Sequence, residues 1–161
     1  MKKWIALTLM LLMTAGLLAA CGGNKEPEDK TVDLSTVYAS MEEKQGWDEN
    51  YMVDIEGEML EYNYPGLSEI SPKQFIAKMP MISSVVSEIV LMECETEEDA
   101  AKAAEILQAR IDFQADGGAW YPEPIEGWSK GSVQQNGLYV AMIAVWDNQS
   151  DLEDIFNQAF Q

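Results

Sequence analysis

Carboxylates are the only abundant side chains in this sequence that could carry out chemistry. The 161 residues include 28 Asp and Glu, 10 Lys and Arg, and no His. The absence of imidazole excludes His-dependent triads, Cys–His dyads and His-ligated zinc or iron sites. A glycosidase needs two carboxylates about 5–10 Å apart, one of them with a raised pKa, and the sequence singles out no such pair. We predict that the protein is not an enzyme, and keep as the alternative a carboxylate-dependent hydrolase of cell-wall or extracellular glycans.

The sequence contains no recognisable metal or cofactor motif. Asp54, Glu56 and Glu58 alternate along one stretch, but the spacing of a calcium loop is not met, and a solvated strand face explains them better. No serine is followed by a lysine three residues later, which excludes a Ser-x-x-Lys nucleophile. The glycine pairs 22–23 and 117–118 are explained by a tether and a helix end. We therefore expect neither a metal nor an organic cofactor.

Residues 119–130 form a segment rich in Trp, Pro and Gly, predicted to be an irregular loop. Exposed aromatic side chains can stack on sugar rings or on proline-rich peptides. The candidate ligand platform consists of Trp120, Tyr121 and Trp128. The alternative is that the two tryptophans fold back and cover the hydrophobic core.

A cysteine near the N-terminus carries the strongest chemical signal. A basic start is followed by an apolar run to Ala20, and the segment ends in Leu18-Ala19-Ala20-Cys21. This arrangement is typical of a bacterial lipoprotein signal peptide, in which Cys21 is lipidated and the chain is cut just before it. The uncharged run of 17 residues from Trp4 to Ala20 would span about 25 Å as a helix, less than the roughly 30 Å hydrocarbon core of a bilayer.

The predicted organisation is a cleaved signal peptide (1–20), a lipidated tether (21–32) and one globular domain (33–161). Because cleavage removes two lysines and no acid, the formal charge changes from −18 to −20. Such a charge disfavours nucleic acids and anionic headgroups, so the lipid on Cys21 is the expected attachment to the extracytoplasmic face of the cell membrane. A protein or glycan partner is expected, but the sequence does not identify it.

The remaining cysteine, Cys94, lies at the end of an apolar run that begins at Val85. No nearby cation is present to lower the pKa of its thiol. We predict that it is buried and unreactive.

Local signals predict most of the elements of the domain. Asp33 and Gly46 are suited to begin and end a helix, and Thr96 with Asp99 begins another. Residues 85–94 and 138–146 are apolar on both faces, as in interior strands. Asn136-Gly137 predicts a hairpin turn before the second strand.

Weaker signals predict three further elements. The alternating acids within residues 51–64 favour a strand, and Ser71-Pro72 favours a short helix that ends near Lys78. Ser150 and Glu153 fit the capping box of a last helix. The resulting order predicts an α+β domain of two layers, with helices packed on one face of a mainly antiparallel sheet.

Several of these segments also follow one another as in a known family. The sequence resembles the domain of unknown function 4358 family, found in lipoproteins of Firmicutes and notably of clostridia. The resemblance rests on short apolar and turn motifs between Asp33 and about Trp146, namely Met79-Pro80-Met81-Ile82-Ser83-Ser84, the Ala-rich helix, Tyr121-Pro122 and Gly137-Leu138-Tyr139-Val140. It implies a cell-surface lipoprotein and adds no activity, ligand or catalytic residue.

Overall fold

Five antiparallel strands form one sheet in the computed structural model, which describes residues 31–48, 50–82 and 84–161. The strands are β1 (Met52–Asp54), β2 (Pro72–Pro80), β3 (Ser87–Cys94), β4 (Ser132–Asn136) and β5 (Tyr139–Val145). Their spatial order is β1-β2-β3-β5-β4. Every residue of β3 and β5 is buried, which confirms the two predicted interior strands. Residues 32–161 make up one compact unit.

Five α-helices accompany the sheet within the described residues. They are α1 (Leu34–Gln45), α2 (Gly57–Asn63), α3 (Glu97–Phe113), α4 (Pro122–Trp128) and α5 (Gln149–Gln158). The predicted caps of α1 are confirmed, since the carboxylate of Asp33 accepts from the amide of Ser35 at 2.9 Å and Gly46 has the left-handed φ of 66° that ends the helix. The hydroxyl of Thr96 likewise accepts from the amide of Asp99 at the start of α3.

The sheet is covered on both faces, because side chains alternate along a strand. On the face that we call the front, Val90 of β3 and Met142 of β5 pack with α3, Tyr64 and Trp128. On the rear face, Ile89 and Ile143 pack with α1 and α5. The α+β class and the antiparallel sheet are confirmed. The predicted placement of helices on one face is wrong, since the two interior strands are apolar on both sides and each side needs a cover.

Strand β2 replaces the helix predicted after Ser71-Pro72. It pairs with β3 through register partners such as Phe75 and Met92, and with β1 on its other side. Phe75 packs on the front face and Ile76 on the rear, so the apolar residues have the alternation of a strand. Long-range pairing therefore overrides the local helix signal, and the proline at the first position of the strand is tolerated there.

The alternating acids do not share one strand face. Strand β1 ends at Asp54, and Glu58 lies in the first turn of α2. Gly57 lies between them with a φ of 54°, which interrupts an extended chain. The expected single row of Asp54, Glu56 and Glu58 is therefore wrong.

Helix α4 and the start of helix α5 also differ from the predicted elements. Residues 119–130 are not an irregular loop, because Pro122 occupies the first turn of α4, where a missing N–H costs nothing. Helix α5 begins one residue before Ser150, and Glu153 accepts from the hydroxyl of Ser132 rather than capping the helix. The predicted hairpin is confirmed, but its turn lies one residue later than predicted, at Gly137 and Leu138, because Asn136 still pairs with Tyr139 as the last residue of β4.

Candidate functional site

The predicted aromatic platform is divided between the surface and the core. The side chain of Trp120 is 90% exposed and that of Tyr121 is 65% exposed, whereas Trp128 is only 6% exposed. Helix α4 explains the difference, because Trp128 lies in its last turn and packs in the front core. Trp120 and Trp128 nevertheless line the same cavity, and Tyr121 does not.

This cavity, which we call the apolar cleft, has a volume of about 1080 Å³. Its walls are formed by α2, the adjoining ends of β1 and β2, the second half of α3, and the segment that follows α3. The apolar side chains that line it include Met59, Tyr62, Met79, Met81, Ile106, Phe113 and Trp120. Five of these seven are exposed, so the cleft forms an apolar surface open to solvent, of the kind that marks binding sites.

Two charged side chains line the interior of the cleft, and they form an ion pair. Arg110 Nε donates to Oε1 of Glu88 at 2.9 Å, and its second nitrogen donates to Oε2 at 3.0 Å. Both residues are buried. The hydroxyl of Tyr64 also donates to Oε1 of Glu88, so the carboxylate is held by three hydrogen bonds.

Two aromatic rings lie close to the guanidinium of Arg110. The guanidinium lies 5.2 Å from the ring centre of Trp128 and 6.0 Å from that of Tyr64, within the range of cation–π attraction. Burial acts to lower the pKa of Arg110, but the hydrogen bonds and the charge of Glu88 outweigh it and raise that pKa. Burial and the neighbouring Glu88 raise the pKa of Tyr64 well above its ordinary value, so Tyr64 remains a hydrogen-bond donor at neutral pH.

The residues of this network were not predicted as site residues, although the sequence contains a signal for each. Glu88 interrupts the apolar run 85–92, and strand alternation places it on the front face with Val90. Arg110 continues the stripe of Ala103 and Leu107 on α3 at helical spacing. One charged residue within the apolar run of a strand and another within the apolar stripe of a helix indicate a buried ion pair. Only the fold shows that the two charges meet.

Acidic side chains lie next to the mouth of the cleft. Asp112 and Asp116 line a neighbouring depression of about 700 Å³. The depression shares Phe113, Gly118 and Trp120 with the apolar cleft. Both acids are exposed, so this part of the rim presents negative charge beside an aromatic surface.

Outside the apolar cleft, the surface carboxylates and Cys94 are the remaining groups of the described chain that could carry out chemistry. Within residues 31–48, 50–82 and 84–161, no three Asp, Glu or Cys side chains are grouped so that they could hold a metal ion. Cys94 is buried, as predicted, and burial together with Asp99 and Glu93 raises the pKa of its thiol to about 11.

The family model for a domain of unknown function, DUF4358, matches residues 45–145. The chain belongs to this family. The DUF4358 region lies within the segment on which the resemblance rests. It contains all five strands of the sheet, the Tyr64–Glu88–Arg110 network and both tryptophans of the cleft.

The DUF4358 region contains the front face of the domain and little of what covers the rear face. Helix α5 lies outside the matched residues, and α1 contributes only its last residue to them. No curated protein and no solved structure matches the chain.

The predicted leader (1–20), Cys21 and most of the tether lie outside the residues that the structure describes. Within the part that is described, none of the helices has the length and the apolar character needed to cross a bilayer.

Proposed function

We propose that the protein is a lipid-anchored lipoprotein on the extracytoplasmic side of the cell membrane, where it acts as a noncatalytic binding or accessory module. The apolar cleft is the proposed binding site. The observation that carries the binding role is a cleft of about 1080 Å³ whose apolar lining is largely exposed. Burying such a surface against a ligand gains roughly 25 cal/mol for each Å² of apolar area.

The proposed anchor rests on the sequence around Cys21. A thioether-linked diacylglyceryl group places two acyl chains at the N-terminus of the mature protein, and two chains hold a protein at a membrane far more firmly than one. The charge of −20 expected for the mature chain is repelled by anionic headgroups, so the lipid is needed for attachment.

A Cys21→Ala variant tests the anchor, with Cys94→Ala as the matched control. In cells, the Cys21 variant is expected to keep an uncut leader or to be shed into the medium, and to incorporate no labelled palmitate. The Cys94 variant is expected to partition with detergent and to be processed as the parent protein is. A Cys21 variant that is processed normally and stays in the membrane fraction would contradict the proposal.

The contacts of Glu88 favour binding over the hydrolase alternative. Among the described residues, Glu88 is the only carboxylate that lines the cleft. Both of its carboxylate oxygens accept hydrogen bonds from Arg110 or Tyr64. A pair of catalytic carboxylates with one raised pKa would have to be found elsewhere on the domain, whereas the apolar walls are suited to ligand binding as they stand.

A neutral apolar fluorophore, N-phenyl-1-naphthylamine, is the probe for the cleft. The parent domain is expected to bind it with enhanced fluorescence, and Trp120→Ala should weaken binding about tenfold. Tyr121→Ala is the matched control, because Tyr121 is the next residue, is exposed and does not line the cleft. Equal effects of the two substitutions, or no binding by the parent, would reject the cleft as the site. Turnover of cell-wall glycans by the purified domain would instead support the hydrolase.

A further inference from the structure

We infer that the occupant of the apolar cleft is a cationic amphipathic helix of a partner protein. This inference rests on the proposed function and adds the chemical class of the ligand. It is carried by three observations, which are the size of the cleft, the chemistry of its walls and the distribution of charge around it.

The size of the cleft fits a segment of helix. A helix about 10 Å wide rises 5.4 Å per turn, so two turns occupy about 850 Å³. The cleft holds about 1080 Å³ and is open to solvent, so a helix can lie in it with one face exposed.

The walls of the cleft are suited to the apolar face of a helix. Met59, Met79 and Met81 lie on the side of α2 and β2, and Phe113 and Trp120 on the side of α3. Methionine side chains are flexible and polarisable, and they adapt to side chains of different shape. A helix that docks in a groove inserts apolar side chains at positions i, i+3 or i+4, and i+7.

The charges of the domain select a cationic ligand. Each of the six Lys and Arg side chains within the described residues already forms an ion pair with a carboxylate. Arg110, the only one of these six that lines the cleft, forms its ion pair with Glu88. An anionic ligand such as a fatty acid would therefore find no uncommitted cation among these residues.

Two acidic side chains at the rim of the cleft are complementary in charge to a cationic helix. Asp112 and Asp116 lie beside Phe113 and Trp120, where they would face the polar side of a docked helix. Lys or Arg on that side would be attracted to them. A second copy of this chain is disfavoured as the occupant, because each mature copy is expected to carry a net charge of −20 and the two would repel each other.

Two synthetic helical peptides of about 15 residues test the inference, since shorter peptides are marginally helical in water. One contains Leu and Lys in an amphipathic pattern, and the other has Glu in place of every Lys. Fluorescence anisotropy with the folded domain is expected to show at least tenfold tighter binding of the Lys peptide. Its affinity should fall as the salt concentration rises, since salt screens exposed charges.

Substitutions then locate the bound peptide. Asp112→Asn combined with Asp116→Asn should weaken binding of the Lys peptide about threefold to tenfold at low salt. Trp120→Ala should weaken it about tenfold. The matched charge control is Glu43→Gln combined with Asp154→Asn, which removes two exposed acids from α1 and α5. These helices cover the rear face, so a change of less than twofold is expected.

Two results would overturn the inference. One is equal weakening by the rim pair and the control pair, which would show attraction to the net charge alone. The other is binding of the Glu peptide as tight as that of the Lys peptide. In either case, binding of the neutral fluorophore with a loss on Trp120→Ala would leave the cleft established as a binding site, so failure of the inference is distinguishable from failure of the proposed function.

Discussion

Arg110 of α3 donates two hydrogen bonds, of 2.9 and 3.0 Å, to the carboxylate of Glu88 of β3 in the interior of the apolar cleft. The pair joins the helix to the centre of the sheet, and Tyr64 and Trp128 connect it to the ends of α2 and α4. The ion pair and its two aromatic neighbours therefore connect four segments of the domain that are separate in the chain.

We predict that Glu88→Gln destabilises the domain by about 3–5 kcal/mol. The substitution leaves the guanidinium of Arg110 buried without a counter-charge, which costs more than the ion pair contributes. Urea unfolding, followed by the fluorescence of the tryptophans, measures the change. A loss below about 1 kcal/mol would show that Arg110 reaches water in the folded protein.

Replacing the whole network by apolar groups should restore most of that stability. The variant combines Glu88→Leu, Arg110→Met and Tyr64→Phe, so no polar partner is left unsatisfied. We expect its free energy of unfolding to lie within about 2 kcal/mol of the parent value, because a buried ion pair and an apolar replacement are often similar in stability. A loss as large as that of Glu88→Gln would show that packing around the network dominates.

The tryptophans of the cleft should differ in their effect on stability. Trp128→Ala is expected to cost about 3–5 kcal/mol, because it opens a cavity in the front core. Trp120→Ala and Tyr121→Ala are expected to change the free energy of unfolding by less than about 0.5 kcal/mol, since both side chains are exposed. Thermal melts of the three variants test this. Large losses at both tryptophans would remove Trp120 as a ligand contact.

The interior strand β5 should contribute strongly to stability. Ile143 is fully buried on the rear face, and Ile143→Ala is predicted to cost about 2–4 kcal/mol through lost transfer energy and a cavity. Glu56→Ala is the surface control and should cost less than about 0.5 kcal/mol. Denaturant melts with the two effects reversed would contradict the assignment of the sheet faces.

Alkaline pH should destabilise the domain through Cys94. The thiol has an ordinary pKa of 9.0 and a folded-state pKa of about 11, so the folded state holds its proton where the unfolded state loses it. The stabilisation is complete below pH 9 and is lost as the pH rises towards 11. The free energy of unfolding measured across this range should therefore fall with pH, with a shallower slope for Cys94→Ala. Equal slopes would contradict the prediction.

The raised pKa of Cys94 also predicts slow alkylation. At neutral pH the thiol of the folded domain should react with iodoacetamide far more slowly than the same thiol in urea, because the thiolate is the nucleophile and the side chain is buried. Cys21→Ala protein is used, so that Cys94 is the only thiol. Comparable rates in the folded and unfolded states would show that this part of the core opens readily.

Features with local causes could be predicted from the amino-acid sequence alone. Asp33 and Gly46 bound α1 because a carboxylate satisfies amides at a helix start and glycine accepts a left-handed end. The apolar runs 85–94 and 138–146 contain the interior strands β3 and β5, because a segment that is apolar on both faces has no favourable place at the surface. Because both strands are apolar on their two faces, each face of the sheet needs a cover of helices. The prediction of a single helical layer was wrong for this reason.

Features that depend on partners distant in the chain could be seen only in the folded domain. Residues 72–80 are a strand because β1 and β3 supply hydrogen-bond partners on both sides, an energy that no local helix signal contains. Glu88 and Arg110 are 22 positions apart, and their pairing depends on how α3 lies on the sheet. Trp120 and Trp128 have the same side chain, but α4 carries one into the core and leaves the other in solvent. Local propensity reflects short-range energies, whereas pairing and burial depend on the whole fold.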